Sequence, residues 1–302
     1  MINELVQKQR MQPETMVENK ISFAASNAEL SIYDTFENAE RVHLKSDQLL
    51  YCGMISGKKI MHLDAENYHR EFLPHESFIL APNQGVEIDF PNARHHSPTT
   101  CLAIEISKDK INQVSEQLNQ HAPIPSEYGH WHYDEHMVHT PHNQDTQALL
   151  GRIVNIFTEN HPDRKFLSDL AVSELIARLL RHQTREMIVN FSRVDPLHNG
   201  INRAISYLED NLHEPLEIDT LCKFACMSRT KFFQTFKQVL GCSPSVFQQQ
   251  QRIKKAQTLL KQGRSVTYAA FELGFLNVSH FSRSFKQLVG MSPKQYRVEH
   301  GN

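Results

Sequence analysis

Between about residues 30 and 107 the apolar positions fall in short runs divided by turn residues; after that they recur every three or four positions. The first pattern predicts strands over residues 30–33, 48–56, 59–63, 77–81, 86–90 and 100–107. Gly57-Lys58 predicts a tight hairpin, and Pro82-Asn83-Gln84-Gly85 a further turn. Short strands at this spacing predict a small antiparallel barrel or sandwich. Residues 1 to about 30 are polar without a sustained period and read as an arm or a weak helix.

The second pattern predicts amphipathic helices. Residues 108–119 carry Ile111, Val114 and Leu118 on one face, and residues 146–158 carry Leu149, Leu150, Ile153, Val154 and Phe157. Residues 167–187 carry Leu170, Leu175, Ile176, Leu179 and Leu180. Residues 192–200, with Asp195-Pro196 and Gly200, break the pattern and read as a linker. They separate an N-terminal domain (1–191) from a C-terminal one (201–302), whose first helix has Ile201, Ala204, Ile205 and Leu208 on one face.

In the C-terminal domain one helical unit is written twice, at residues 218–240 and 266–289; Phe236-Lys237-Gln238 returns 49 positions later as Phe285-Lys286-Gln287. Each copy has a short helix with a small residue (Cys222, Ala270) four before a turn position (Cys226, Gly274). A second helix then starts at an N-cap, Ser228 or Asn277. If Cys226 takes the left-handed conformation that suits glycine, it is mildly strained, and both cysteines read as small core groups. The buried stripes are Phe232, Phe233, Phe236, Val239 and Leu240, then Phe281, Phe285, Leu288 and Val289. The opposite faces carry Arg229, Thr230, Lys231, Gln234 and Lys237 in copy one, and Val278, Ser279, His280, Ser282, Arg283 and Lys286 in copy two, after Asn277. Such groups suit base edges and phosphates in a major groove. Between the copies Ser243, Pro244 and Gly263 bound a longer helix, with Val246, Ile253, Ala256 and Leu260 predicted buried. Arg252, Lys254 and Lys255 are left for solvent or phosphate, and residues 248–251, four glutamines, read as helix surface.

These residues resemble the two-repeat DNA-binding domain of AraC/XylS-type bacterial transcription regulators. The likeness covers roughly a third of the chain and rests on Gly274-Phe275, Phe281-Ser-Arg283-x-Phe285-Lys286, Gly290-x-Ser-Pro293, Tyr296-Arg297 and Arg252-Ile253-x-x-Ala256-x-x-Leu259-Leu260. More loosely, by pattern and order, the strand-rich part is similar to the cupin-like N-terminal domains of that family. The fold class implied is α+β and multidomain: a small antiparallel β-barrel with helices, then an all-α domain of two helix-turn-helix units joined by a linker helix. The resemblance implies a transcriptional activator that binds double-stranded promoter DNA and contacts RNA polymerase, with an unidentified small-molecule effector at the N-terminal domain. Arg283 takes the family's arginine position, whereas copy one has Gln234 there. Lys237 and Lys286 suit phosphate anchoring. The family's dimer helices point to Leu175 and Leu179 as a homodimer contact, the alternative being that these helices pack onto their own barrel. Control by a partner protein, or a metal cupin enzyme joined to a DNA-binding tail, are the alternatives.

Charge supports the division. From Asn199 onward there are 14 Lys and Arg against 7 Asp and Glu, a balance of +7, leaving 18 against 27, or −9, for residues 1–198. No apolar run reaches membrane-spanning length and Met1–Lys8 lacks a signal-peptide core, so the expected location is cytoplasmic. Five scattered cysteines fit free thiols in a reducing compartment. Histidines cluster at His95-His96, His130, His132, His136, His139 and His142, but not at metal-cupin spacing on the predicted strands, and those from 130 to 142 read as a solvated loop. No nucleophile elbow, dinucleotide or phosphate loop is present. The expectation is therefore no enzyme, no cofactor and no metal.

Overall fold

The computed structural model describes residues 18–63, 68–135, 138–142 and 144–300. It divides into two compact units: Met1–Glu116 with His132–Arg178, and Gln117–Trp131 with Leu179–Asn302. His136 and most of the N-terminal arm lie outside the described residues.

The first unit holds ten strands among the described residues: β1 (Glu18–Ala24), β2 (Ala28–Thr35), β3 (Val42–Lys45), β4 (Leu49–Ser56), β5 (Lys59–Leu63), β6 (Tyr68–Phe72), β7 (Glu76–Leu80), β8 (Gly85–Asp89), β9 (Thr99–Ile106) and β10 (Val138–Pro141). All pairings are antiparallel, in one sheet ordered β1-β2-β9-β4-β7-β10 and another ordered β3-β8-β5-β6. Leu50, Cys52, Met54, Phe78, Cys101 and Ala103 from the first sheet meet Met61, Leu63, Phe72, Val86 and Ile88 from the second in one buried cluster. Its members alternate along each strand, as a two-residue period requires. β4 is buried on both faces. At Gly53 the reason is local, because an added Cβ would meet Leu102 at 3.3 Å and Leu150 at 3.6 Å. Leu150 belongs to the helix α2 (Gln144–Thr158), which covers this sheet with Leu149, Ile153, Val154 and Phe157.

The six predicted strands are present with boundaries shifted by at most two residues; four more appear. β1 replaces the expected arm over residues 18–24, and β10 replaces part of the expected solvated loop. His142, just after β10, is only 2% exposed, with Nε2 against Ser77 Oγ at 2.5 Å, and His139 pairs with Glu76 at 2.9 Å. Burial pushes His142 down to about 3, with His75 adding to the effect.

Helix α1 (Lys108–His121) precedes the long helix α3 (Arg164–Val194), and the division between units falls inside α3. Leu175 and Leu179, read as an interface, are 2% and 6% exposed within the single chain. The chain's own packing already covers them, so they do not offer a free surface.

The second unit contains α4 (Gly200–Asp210), α5 (Ile218–Ala225), α6 (Arg229–Leu240), α7 (Pro244–Lys261), α8 (Val266–Glu272), α9 (Val278–Val289) and α10 (Pro293–His300). Residues 117–131 and 179–191 pack with these helices, although the pattern break alone places them in the first domain. Trp131 is buried, donates from Nε1 to the Ala122 carbonyl at 2.8 Å and lies 4.9 Å beneath the Arg181 guanidinium. Tyr128, whose hydroxyl burial pushes up to about 12, donates to Asn202 Oδ1 at 2.8 Å.

Candidate nucleic-acid interface

Each recognition-type helix starts and stops on local chemistry. Ser228 accepts from the Lys231 N–H and Asn277 from the His280 N–H, capping α6 and α9. Gly241 and Gly290 end them in the left-handed conformation, with φ 74° and 87°. The inner stripes are aromatic. Phe232, Phe236 and Phe247 pack in tilted and edge-to-face pairs at 5.4 and 5.7 Å; Phe275, Phe281, Phe285 and Tyr296 do the same at 5.1, 5.7 and 5.4 Å. Five of these seven rings are fully buried at 0% exposure, four of them in the helices that carry the two outer faces.

The outer faces carry Arg229, Thr230, Lys231, Gln234 and Lys237 on α6, and Asn277, Ser279, His280, Arg283 and Lys286 at α9; all are exposed. Neither helix contains an acidic residue. Arg229 approaches Asp219 at 3.8 Å, but both side chains are open to water, where such a pair is worth little. Two expected readers sit deeper: Ser282 is half-buried, and Val278 packs against the core of the second copy.

The turns differ in a telling way. Cys226 and Gly274 both adopt positive φ, 54° and 73°. Cys226 therefore carries the strain expected of a non-glycine residue there. It is exposed and Cys222 half-buried, which corrects their reading as core groups. Burial raises the Cys222 thiol above its ordinary range. Each turn is held by an arginine from the helix preceding that copy. Arg203 of α4 donates to the Phe224 carbonyl at 3.0 Å, and Arg252 of α7 to the Gly274 carbonyl at 3.3 Å.

Arg252 corrects the sequence reading. Its guanidinium also donates to the Leu212 and Glu214 carbonyls at 2.5 and 2.8 Å and lies 5.6 Å from the Phe275 ring centre. Burial pulls its pKa down. It is a structural clamp. Lys254 is engaged with Glu186 at 2.7 Å, and Lys255 remains exposed. The glutamine run is not mere surface either: Gln248 and Gln251 are each 7% exposed, and Gln248 donates to the Glu214 carbonyl at 2.9 Å. Gln249 donates to Ser284 Oγ of α9 at 2.8 Å. Val246 is 42% exposed, and Phe247 takes the buried place expected of it. Ile253, Ala256 and Leu260 are buried in the core of the second copy as expected. A glutamine seen in sequence carries no sign of a carbonyl acceptor more than thirty positions away, so spacing could not reveal these roles.

Among the described residues no helix is long and apolar enough to cross a membrane. Residues 27–187 match the family described as the AraC-type transcriptional regulator N-terminus, and residues 221–299 match a helix-turn-helix domain. The chain is 30% identical over 162 residues to the arabinose operon regulatory protein of Escherichia coli (strain K12), covering 53% of this chain and 52% of that one. It is 29% identical over 152 residues to the HTH-type transcriptional regulator ArgR of Pseudomonas aeruginosa, covering 50% and 46%. It thus spans about half the length of these curated relatives. A solved structure of ToxT from Vibrio cholerae is similar at 15% identity, covering 92% of this chain and 100% of that one, with a TM-score of 0.38. The DNA-binding domain of AdpA, solved with a target DNA, is similar at 29% identity, covering 33% and 92%, with a TM-score of 0.32. With a matched segment spanning more than half of its length, the chain belongs to the family of AraC-type transcriptional regulators.

Proposed function

We propose that this chain is a sequence-specific DNA-binding regulator, an activator, in which α6 and α9 each enter a major groove. The observation that carries this reading is the doubling itself: two capped helices present acid-free, exposed polar faces from matched aromatic cores within one unit. Arg283 reads a guanine bidentately with Ser279 one turn before it, and Gln234 suits adenine, with Thr230 and Arg229 beside it. Lys237 and Lys286 anchor phosphates. RNA polymerase is the partner that activation requires. On this reading the N-terminal unit takes a small-molecule effector. A cleft of about 450 Å³ there, lined by Ala28, Pro162, Lys165, Phe166 and Val172, falls within the size range of ligand sites.

Selection of duplexes from a random pool by the full chain tests this. The expected product is a motif of two boxes whose centres lie about one helical turn, 10–10.5 base pairs, apart. Enrichment of a single box, or of none, defeats the two-headed reading. Control by a partner protein would instead appear as DNA affinity that no small molecule alters but a second protein does.

A further inference from the structure

The outer face of the β3-β8-β5-β6 sheet carries a group of side chains unconnected with DNA. Met61 and Leu63 of β5 point into the core, so His62 lies on the opposite face. His62 stands directly across from His69 of β6 in antiparallel register. Their rings are 4.7 Å apart between centroids, and the two Nδ1 atoms are 3.0 Å apart. On its other side His62 Nε2 lies 2.7 Å from Asp89 Oδ2 of β8, and Asp89 Oδ1 accepts from the Arg41 N–H at 2.8 Å. Burial opposes ionisation of Asp89, but these donors outweigh it and hold the carboxyl below its ordinary range.

A carboxylate only accepts, so Nε2 of His62 keeps its proton, and in the neutral ring Nδ1 is left with a lone pair. This is the carboxylate–histidine arrangement that fixes the tautomer of metal-binding imidazoles. That lone pair accepts from the Nδ1–H of His69 at 3.0 Å, and an ion bound between the two rings takes the place of this proton. Two nitrogen ligands at right angles on bonds of roughly 2.1 Å are about 3.0 Å apart, whereas a tetrahedral ion separates them by about 3.4 Å. The hydrogen bond already holds the two nitrogens at 3.0 Å, so an ion of right-angled geometry can replace the proton with little movement of either ring. Tetragonal nitrogen and oxygen sites suit Cu²⁺ and Ni²⁺. His62 is 8% exposed while His69 is open to solvent, so water can fill the remaining positions.

We propose that His62 and His69 form a cross-strand site for a divalent transition metal of tetragonal preference, Ni²⁺ or Cu²⁺, through their Nδ1 atoms, with Asp89 as the outer carboxylate. Among the described residues no group of three or more His, Cys, Asp or Glu is arranged for a metal. The site is therefore a two-imidazole chelate finished by solvent, and a bound ion ties β5 to β6.

The test is calorimetric titration of the full chain with Ni²⁺ at pH 7.5, with Mg²⁺ as the oxygen-preferring control. The expected result is one Ni²⁺ site above the background of other histidines, and none for Mg²⁺. His69→Gln should abolish that site. Asp89→Asn should weaken it about tenfold or more, the usual effect of removing an outer-shell partner. The exposed His95→Gln should leave it intact. Melting without metal checks that His69→Gln is folded, and His69→Lys serves as a second variant at this exposed strand position. If either folded His69 variant retains the wild-type site, or Asp89→Asn binds unchanged, the assignment is overturned.

Discussion

Gly274→Ala is a severe test of how the second copy is built. The residue sits at φ 73°, and a Cβ placed there would lie 2.0 Å from the His213 carbonyl oxygen and 2.7 Å from its carbon. The left-handed conformation alone costs an L-residue roughly 1–2 kcal/mol. The overlap cannot be relieved by a side-chain rotation, since the obstacle is backbone. The segment around His213 must retreat by more than an ångström, and the same segment supplies the Leu212 and Glu214 carbonyls that Arg252 holds. Each hydrogen bond from a charged donor is worth about 1.5–3 kcal/mol. Losing one of them brings the total to about 3–5 kcal/mol. For a unit of this size that means a fall in melting temperature of about 10 °C or more. The comparison is Cys226→Gly at the matching turn, where no such overlap exists for the thiol to relieve. Removing left-handed strain there gains about 1 kcal/mol and added chain entropy takes back a similar amount, so little change is expected. Scanning calorimetry of both variants decides. If Gly274→Ala melts within about 2 °C of wild type, the close approach to His213 is not a feature of the folded unit.

Arg283→Ala should cost about 1–3 kcal/mol on the selected site and relax choice at one base, while Lys286→Ala should weaken all duplexes alike and flatten the salt dependence by about one unit; affinities on matched and mismatched duplexes at several salt concentrations separate the two. Ala256 is 0% exposed, and Ala256→Glu should destabilise the second unit by about 3 kcal/mol or more, read from its melting transition, through overpacking and a buried charge. Leu175→Asp should lower stability instead of yielding a folded monomer, because Leu175 is already covered; sedimentation with circular dichroism distinguishes these results. His142 has a native value of about 3 against 6.5 when unfolded, so the unfolded chain binds the extra proton. Stability should therefore fall as pH drops from 6.5 toward 3, by about 1.4 kcal/mol per unit for this one group. Denaturant titrations of His142→Gln should show a shallower acid slope than wild type.

The repeat was legible because its signals are local: caps at Ser228 and Asn277, the helix-ending Gly241 and Gly290, and phenylalanines at helical spacing. The central strands were legible for the same reason, since burial on both faces writes unbroken apolar runs such as 49–55. What stayed hidden depends on partners distant in the chain. β10 holds His139 and Thr140, and its strand form comes from pairing with β7 more than fifty positions earlier. Arg252 and Lys254 read as surface cations because nothing nearby in sequence announces the carbonyls and the carboxylate they meet. Val246 and Phe247 illustrate a phase error: both are apolar, and only the packing decides which faces inward.

The polar anchoring of α7 carries a consequence for the DNA that this regulator accepts. A helix held by apolar contacts alone can slip or roll at small cost, but the Gln248 and Arg252 hydrogen bonds at one flank and the Gln249 bond to Ser284 at the other fix its rotation as well as its height. On the proposed reading the protein then gauges the angle between two boxes, not merely their distance. One inserted base pair turns the second box about the duplex axis by roughly 35°, as a repeat of 10–10.5 base pairs per turn requires. Such a promoter should be rejected outright, whereas inserting a full helical turn restores the phase but leaves the second head out of reach.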